Sequence, residues 1–132
     1  MDNCLRSKMY FIDIDINNFN EEVLHTPTPV VVVFYAVWSG CSHITELIIE
    51  ELNLDAFPAV KFCRINAEEN KEIVEEYGIR TIPTVLFFYQ KQIVDCIEGT
   101  FPKSNIIGKL RIVQKRYEKN HKNHPDYDIY KL

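Results

Sequence analysis

Nine consecutive apolar residues, Val30 to Trp38, make the most uniform stretch of the chain. A run of β-branched and aromatic residues without polar interruption predicts a strand buried on both faces, hence a central one. Upstream, residues 8–16 (KMYFIDIDI) alternate apolar and acidic toward their end and predict a half-exposed strand. NNFNEEVL follows, offering an asparagine cap and Phe19, Val23 and Leu24 at helical spacing, and TPTP then marks a turn. From Ser39 onward a helix is expected, with Ile44, Leu47, Ile48 and Leu52 on its inner face and Glu46, Glu50 and Glu51 mostly on the outer one.

Residues 59–66 (AVKFCRIN) predict a second buried strand. Strand, helix and strand in this order form a parallel crossover, almost always right-handed. A short helix should start at an Asn70 cap, turn Ile73, Val74 and Tyr77 inward, and stop at Gly78 in the left-handed region. Residues 84–99 read as two strands broken only at Gln90 and Lys91, a gap so short that the pair must be an antiparallel hairpin despite its missing glycine. Ser104 is expected to cap a last helix whose buried face is Ile106, Ile107, Leu110, Val113 and Tyr117. Beyond it the chain is polar, interrupted by Pro125, and dotted with Tyr127, Ile129, Tyr130 and Leu132 as apolar anchors of an arm. The pattern as a whole is α/β.

Composition narrows the function. With 132 residues, 46% apolar and 26% charged, the chain suits one soluble domain with a core of its own. Its net charge of −4 is unevenly spread: residues 1–110 carry 9 Lys/Arg against 16 Asp/Glu, while residues 111–132 carry 6 against 3. An acidic body excludes nucleic acid as the natural partner, and a tail of net +3 is too weak a basic patch to reverse that. No apolar run resembles a signal peptide or a membrane span, so a cytoplasmic protein with reduced thiols and no membrane partner is expected. Cys4, Cys41, Cys63 and Cys96 stand 37, 22 and 33 residues apart, which suits neither a zinc site nor a disulfide framework. His121 and His124 have metal-like spacing but lack a third ligand nearby, so no metal and no cofactor is expected.

The most telling segment is FYAVWSGCSH, residues 34–43. Together with YGIRTIPT (77–84) and IEGTFPKS (97–104), and with the order of elements, it resembles the thioredoxin family over about residues 8–115. The resemblance implies a thioredoxin fold for residues 1–115, with a mixed sheet flanked by helices on both faces, and leaves 116–132 as a helix end and arm. It also implies that Trp38 flanks the site and that Pro83, after Ile82, is the family's cis-proline. Aligned without gaps, Trp38-Ser39-Gly40-Cys41-Ser42 replaces the family's Trp-Cys-Gly-Pro-Cys. Val33 stands where the family resembles itself in burying an aspartate that assists proton transfer.

These departures bear directly on chemistry. Disulfide reduction needs a thiolate to attack and a second thiol to release the mixed disulfide. Serines at 39 and 42 supply neither, and once the reaction is gone a buried valine at 33 is more stable than a buried acid. Cys63, in a central strand, and Cys96, in the hairpin, read as small buried apolar residues. Cys41 remains as the candidate catalytic thiol of a monothiol protein, because orphan N–H groups at a helix start favour an anion. His43 is too close along the helix to face it and reads as a solvated residue. Peptide binding needs no thiol. By resemblance, Trp38, Ile82, Pro83 and Gly99 line a shallow groove in which a protein partner's extended segment adds as a strand. The expected function is therefore protein binding or assembly rather than catalysis, with monothiol chemistry at Cys41 as the alternative.

Overall fold

The computed structural model of the chain describes residues 11–53 and 57–121, with the side chains of residues 50–53 left aside. Cys4, residues 8–10 of the first expected strand, the side chains of Glu50, Glu51 and Leu52, and the arm from residue 122 with His124 and its apolar anchors lie outside that description.

Five strands form one sheet in the order β1-β3-β2-β4-β5: β1 (Ile12–Ile14), β2 (Val30–Tyr35), β3 (Lys61–Asn66), β4 (Thr84–Tyr89) and β5 (Gln92–Glu98). β1, β3 and β2 run parallel, while β4 is antiparallel to both β2 and β5. The sheet is therefore mixed, with the apolar run of residues 30–35 at its centre. Its strand stops at Tyr35 rather than continuing to Trp38, because Ala36 to Ser39 turn the chain into the next helix and expose Val37 and Trp38.

Helices cover both faces. On one face lie α1 (Gly40–Asn53) and α3 (Lys103–Asn120), closing a core that includes Val31, Val33, Ile49, Phe62, Phe87, Ile106, Leu110 and Val113. On the other lie a π-helical turn (Asn20–Leu24) and α2 (Lys71–Glu76), over Val30, Val32, Phe34, Cys63, Ile65 and Phe88. Phe19, Tyr77 and Phe88 meet edge-on or tilted there, with ring centroids 5.5–6.0 Å apart.

Several local expectations hold. Gly78 ends α2 at φ +62, and Ile79 N–H reaches back to the Val74 carbonyl at 2.9 Å. Ile73 is buried and Val74 and Tyr77 pack beside it. The β4-β5 hairpin forms with Gln90 and Lys91 both in the left-handed region, φ 52 and 69. Ile106, Leu110 and Val113 are buried along α3, with Ile107 and Tyr117 packed against them.

Others need correction. Asn70 precedes α2, but its side-chain amide donates to the Asn66 carbonyl instead of capping the helix. α3 begins two residues earlier than a Ser104 cap requires, after Pro102, and Ser104 is an exposed residue inside it. Cys96 is exposed rather than buried, because it lies on edge strand β5 beyond the helical cover. The largest correction concerns α1, whose inner face is Ser42, Thr45, Glu46 and Ile49, while Ile44 and Leu47 point to solvent and Ile48 is half-buried.

Candidate functional site

Three connections converge at one end of the sheet. β2 leaves it through residues 36–39 into α1; β4 enters it from the Ile82–Pro83 bond, which is cis; and β5 leaves it at Gly99. Register fixes their proximity. Phe34 pairs with Thr84, Thr84 pairs with Glu98, and Gly99 N–H donates to the Pro83 carbonyl at 2.8 Å. Gly99 holds φ +76, a conformation most side chains resist.

Both serines of the motif are buried and engaged. Ser39 sits just before α1, and its Oγ accepts the Ser42 N–H at 3.1 Å, the bond of a serine N-cap. Ser42 Oγ accepts the Ala36 N–H at 3.4 Å, tying the first turn of the helix back to the end of β2. Gly40 opens the helix, and Cys41 follows it as an exposed residue. His43 is mostly exposed, with Nε2 3.2 Å from the Val37 carbonyl and Nδ1 3.9 Å from Glu46.

These bonds fix the rotation of α1 and so explain its inner face. With Ser42 turned in, Glu46 one turn later is turned in too, and it meets Arg64 from β3 at 3.4 Å. Arg64 also binds Asp13 of β1 at 2.6 Å and lies about 6 Å over the rings of Phe11 and Tyr35. Burial opposes the Arg64 charge, but its Asp13 hydrogen bond and the Asp13 and Glu46 carboxylates outweigh that and hold the guanidinium above its ordinary range. Burial raises the Tyr35 hydroxyl, with Arg64 opposing and the carboxylates of Asp13, Glu46 and Glu69 adding to it. Beside this network an open polar cleft of about 360 Å³ is lined by Asp13, Asp15, Tyr35, Arg64, Asn66 and Glu69 among others.

Of the other expected site residues, Trp38 is exposed, Pro83 is buried, and Ile82 is half-buried against the core beneath α2. Val33 is fully buried among apolar neighbours, where a carboxylate would lack a partner of its own. Cys63 is buried in β3, and burial pushes its thiol up to about 12. Burial likewise raises the Cys96 thiol, with Glu98 and Asp95 adding to it. Cys41, Cys63 and Cys96 are all free thiols.

The thioredoxin family profile matches residues 11–112. The chain belongs to the thioredoxin family. It is 36% identical to thioredoxin of Griffithsia pacifica over 94 residues, covering 71% of this chain and 86% of that one. With thioredoxin of Rickettsia bellii it is 40% identical over 90 residues, covering 68% and 86%. The crystal structure of Malassezia sympodialis thioredoxin superposes with a TM-score of 0.70 at 25% identity, covering 77% of this chain and 89% of that one. The thioredoxin fold is thus shared with its relatives.

Sequence reasoning missed the Asp13–Arg64–Glu46 network and the exposure of Ile44 and Leu47. A signal for the first was present in Arg64, a charge between Cys63 and Ile65 in the interior of a strand, which demands partners wherever it is buried. Among the described residues no group of three or more His, Cys, Asp or Glu side chains could hold a metal ion, and no helix is long and apolar enough to cross a membrane.

Proposed function

We propose that this thioredoxin-like chain is a protein-binding or assembly subunit without dithiol activity, gripping an extended segment of its partner along Trp38, Ile82, Pro83 and Gly99 with help from the C-terminal arm. The observation that carries this reading is the use made of both serine hydroxyls. Ser39 caps α1 and Ser42 anchors it to β2, so the two positions serve as a helix brace. A hydroxyl in either place cannot form the mixed disulfide that reduction requires. The free thiols suit a reducing compartment such as the cytoplasm.

The test has two parts. The natural chain should leave insulin disulfides intact while retaining a stable protein partner in pull-downs, and Ile82→Ser should release that partner. Insulin reduction by the natural chain would sink the proposal. Ser39→Cys with Ser42→Cys asks how much else was lost: weak recovered reduction is expected if the surrounding site is otherwise competent.

One observation favours a second reading, a monothiol redox protein. Cys41 is exposed at the start of α1, accessible to a mixed disulfide. That reading expects covalent adducts from cell extracts that disappear under reductant and on Cys41→Ala. Cys63, buried and held as a thiol, serves as an internal control that stays unlabelled at neutral pH.

A further inference from the structure

A folded chain normally turns the apolar side of a surface helix inward. α1 leaves apolar residues on its outer side: Ile44 is 56% exposed and Leu47 59%. Val37 and Trp38, in the turn that leads into the helix, are 66% and 69% exposed. His43 links the two groups, since its ring is bonded to the Val37 carbonyl and Leu47 lies one helical turn further on. The result is an apolar strip that starts at Val37 and Trp38 and continues along the helix, beyond the groove proposed above along Trp38, Ile82, Pro83 and Gly99.

The ground beside the upper end of this strip is acidic. The Ala67 N–H donates to the Tyr35 carbonyl at 2.9 Å, which holds the turn carrying Glu68 and Glu69 against the exit of β2, immediately before Val37. Asp13, Asp15 and Glu69 line the cleft there, and the cation among its lining residues, Arg64, is already paired with Asp13 and Glu46. Lys71, which opens α2, shares a surface pocket with Glu68, Glu69 and Glu72 and leaves it net acidic, and Arg80 lies in the segment before the cis-proline. Apolar area beside a net excess of carboxylate favours a ligand that combines apolar residues with positive charge.

We infer that the outer side of α1, with Val37 and Trp38, docks an amphipathic helical segment of a protein partner whose polar side is rich in Lys and Arg. Its apolar residues at helical spacing lie on Ile44, Leu47 and Trp38, and its cations face Asp15, Glu68 and Glu69. The inference rests on the protein-binding reading above and adds a second contact and the chemistry of the partner.

Trp38 is the single tryptophan, so its emission reports occupancy of this surface directly. The probe is a synthetic helical peptide of about 18 residues with leucines at positions i, i+3, i+4 and i+7 and lysines elsewhere, compared with the same peptide carrying glutamate for lysine. The lysine peptide should shift Trp38 emission to the blue with saturation, and its affinity should fall as salt rises; the glutamate peptide should do neither. Ile44→Ser with Leu47→Ser, an exposed pair that leaves the charge unchanged, should weaken binding at least about tenfold. Asp15→Asn with Glu69→Gln should weaken it less and flatten the salt dependence.

Equal response to both peptides, or indifference to the Ile44 and Leu47 changes, overturns the inference. Loss of peptide binding only in Ile82→Ser also overturns it, placing the ligand in the groove and leaving the proposed function intact. Release of the pulled-down partner by neither Ile82→Ser nor the α1 pair defeats the proposed function instead. A concentration-dependent dimer in sedimentation that dissolves in the Ile44 and Leu47 variant overturns the inference in favour of a second copy as the occupant.

Discussion

α1 and α3 lie on the same face of the sheet, yet they turn different chemistry inward. α3 turns Ile106, Leu110 and Val113 into the core and leaves Arg111, Lys115 and Arg116 outside, with Ile112 the one large apolar residue exposed among them. α1 turns in Ser42, Thr45 and Glu46 with Ile49, and leaves Ile44 and Leu47 outside. Water alone would not choose the second arrangement. Its inner side is fixed by specific polar bonds to Ala36 and Arg64, and its outer side is left with apolar area that folding does not use. α3 is thus a cover for the core, whereas α1 positions the site and presents a surface.

The contrast can be broken or sharpened by substitution. Leu110→Ala in α3 should cost about 2–5 kcal/mol in chemical unfolding, as a large-to-small change in a closed core does. Glu46→Ala in α1 should cost about 1–3 kcal/mol, because a charge-assisted bond to a partly buried guanidinium is lost. The matching control is Arg64→Met with Glu46→Leu; a smaller loss than in Glu46→Ala would show that most of the penalty comes from leaving the Arg64 guanidinium with Asp13 as its remaining carboxylate partner. Ser39→Ala should cost about 1 kcal/mol through the missing cap. Smallest of all, Ile44→Ser with Leu47→Ser should leave stability within about 0.5 kcal/mol per change. A large loss there would mean the outer side of α1 packs on part of its own chain.

The same contrast explains what could be read in advance. In α3 the apolar positions have one periodic solution, and Ile106, Leu110 and Val113 are buried as that solution requires. Gly78 and the two-residue gap at Gln90 and Lys91 act locally, so their conformations follow from short-range geometry. α1 offers Ile44, Leu47, Ile48 and Ile49 within two turns, and hydrophobicity alone favours the wrong side. The choice depends on Arg64, 18 positions along the chain, and on a hydroxyl bond at the helix start. Pairing of that kind is tertiary and leaves no period in the sequence. The place of the candidate site was read from Trp38, Ile82, Pro83 and Gly99 through family resemblance, and the connections that carry them meet at one end of the sheet. The structural employment of Ser39 and Ser42 was not, because a serine motif looks the same whether its hydroxyls are free or bonded.

The Gln90–Lys91 turn has a consequence for the order in which the molecule assembles. Two side-chain-bearing residues in the left-handed region disfavour the turn by roughly 1–2 kcal/mol each when nothing else holds it. An isolated β4-β5 hairpin is then a poor folding nucleus, although its ends are adjacent in sequence. β4 gains more by first laying its apolar side chains along β2, whose register with it runs from Val30–Phe88 to Phe34–Thr84. The edge of the sheet is thus expected to close last, and Lys91→Gly should quicken that closing step without moving the centre.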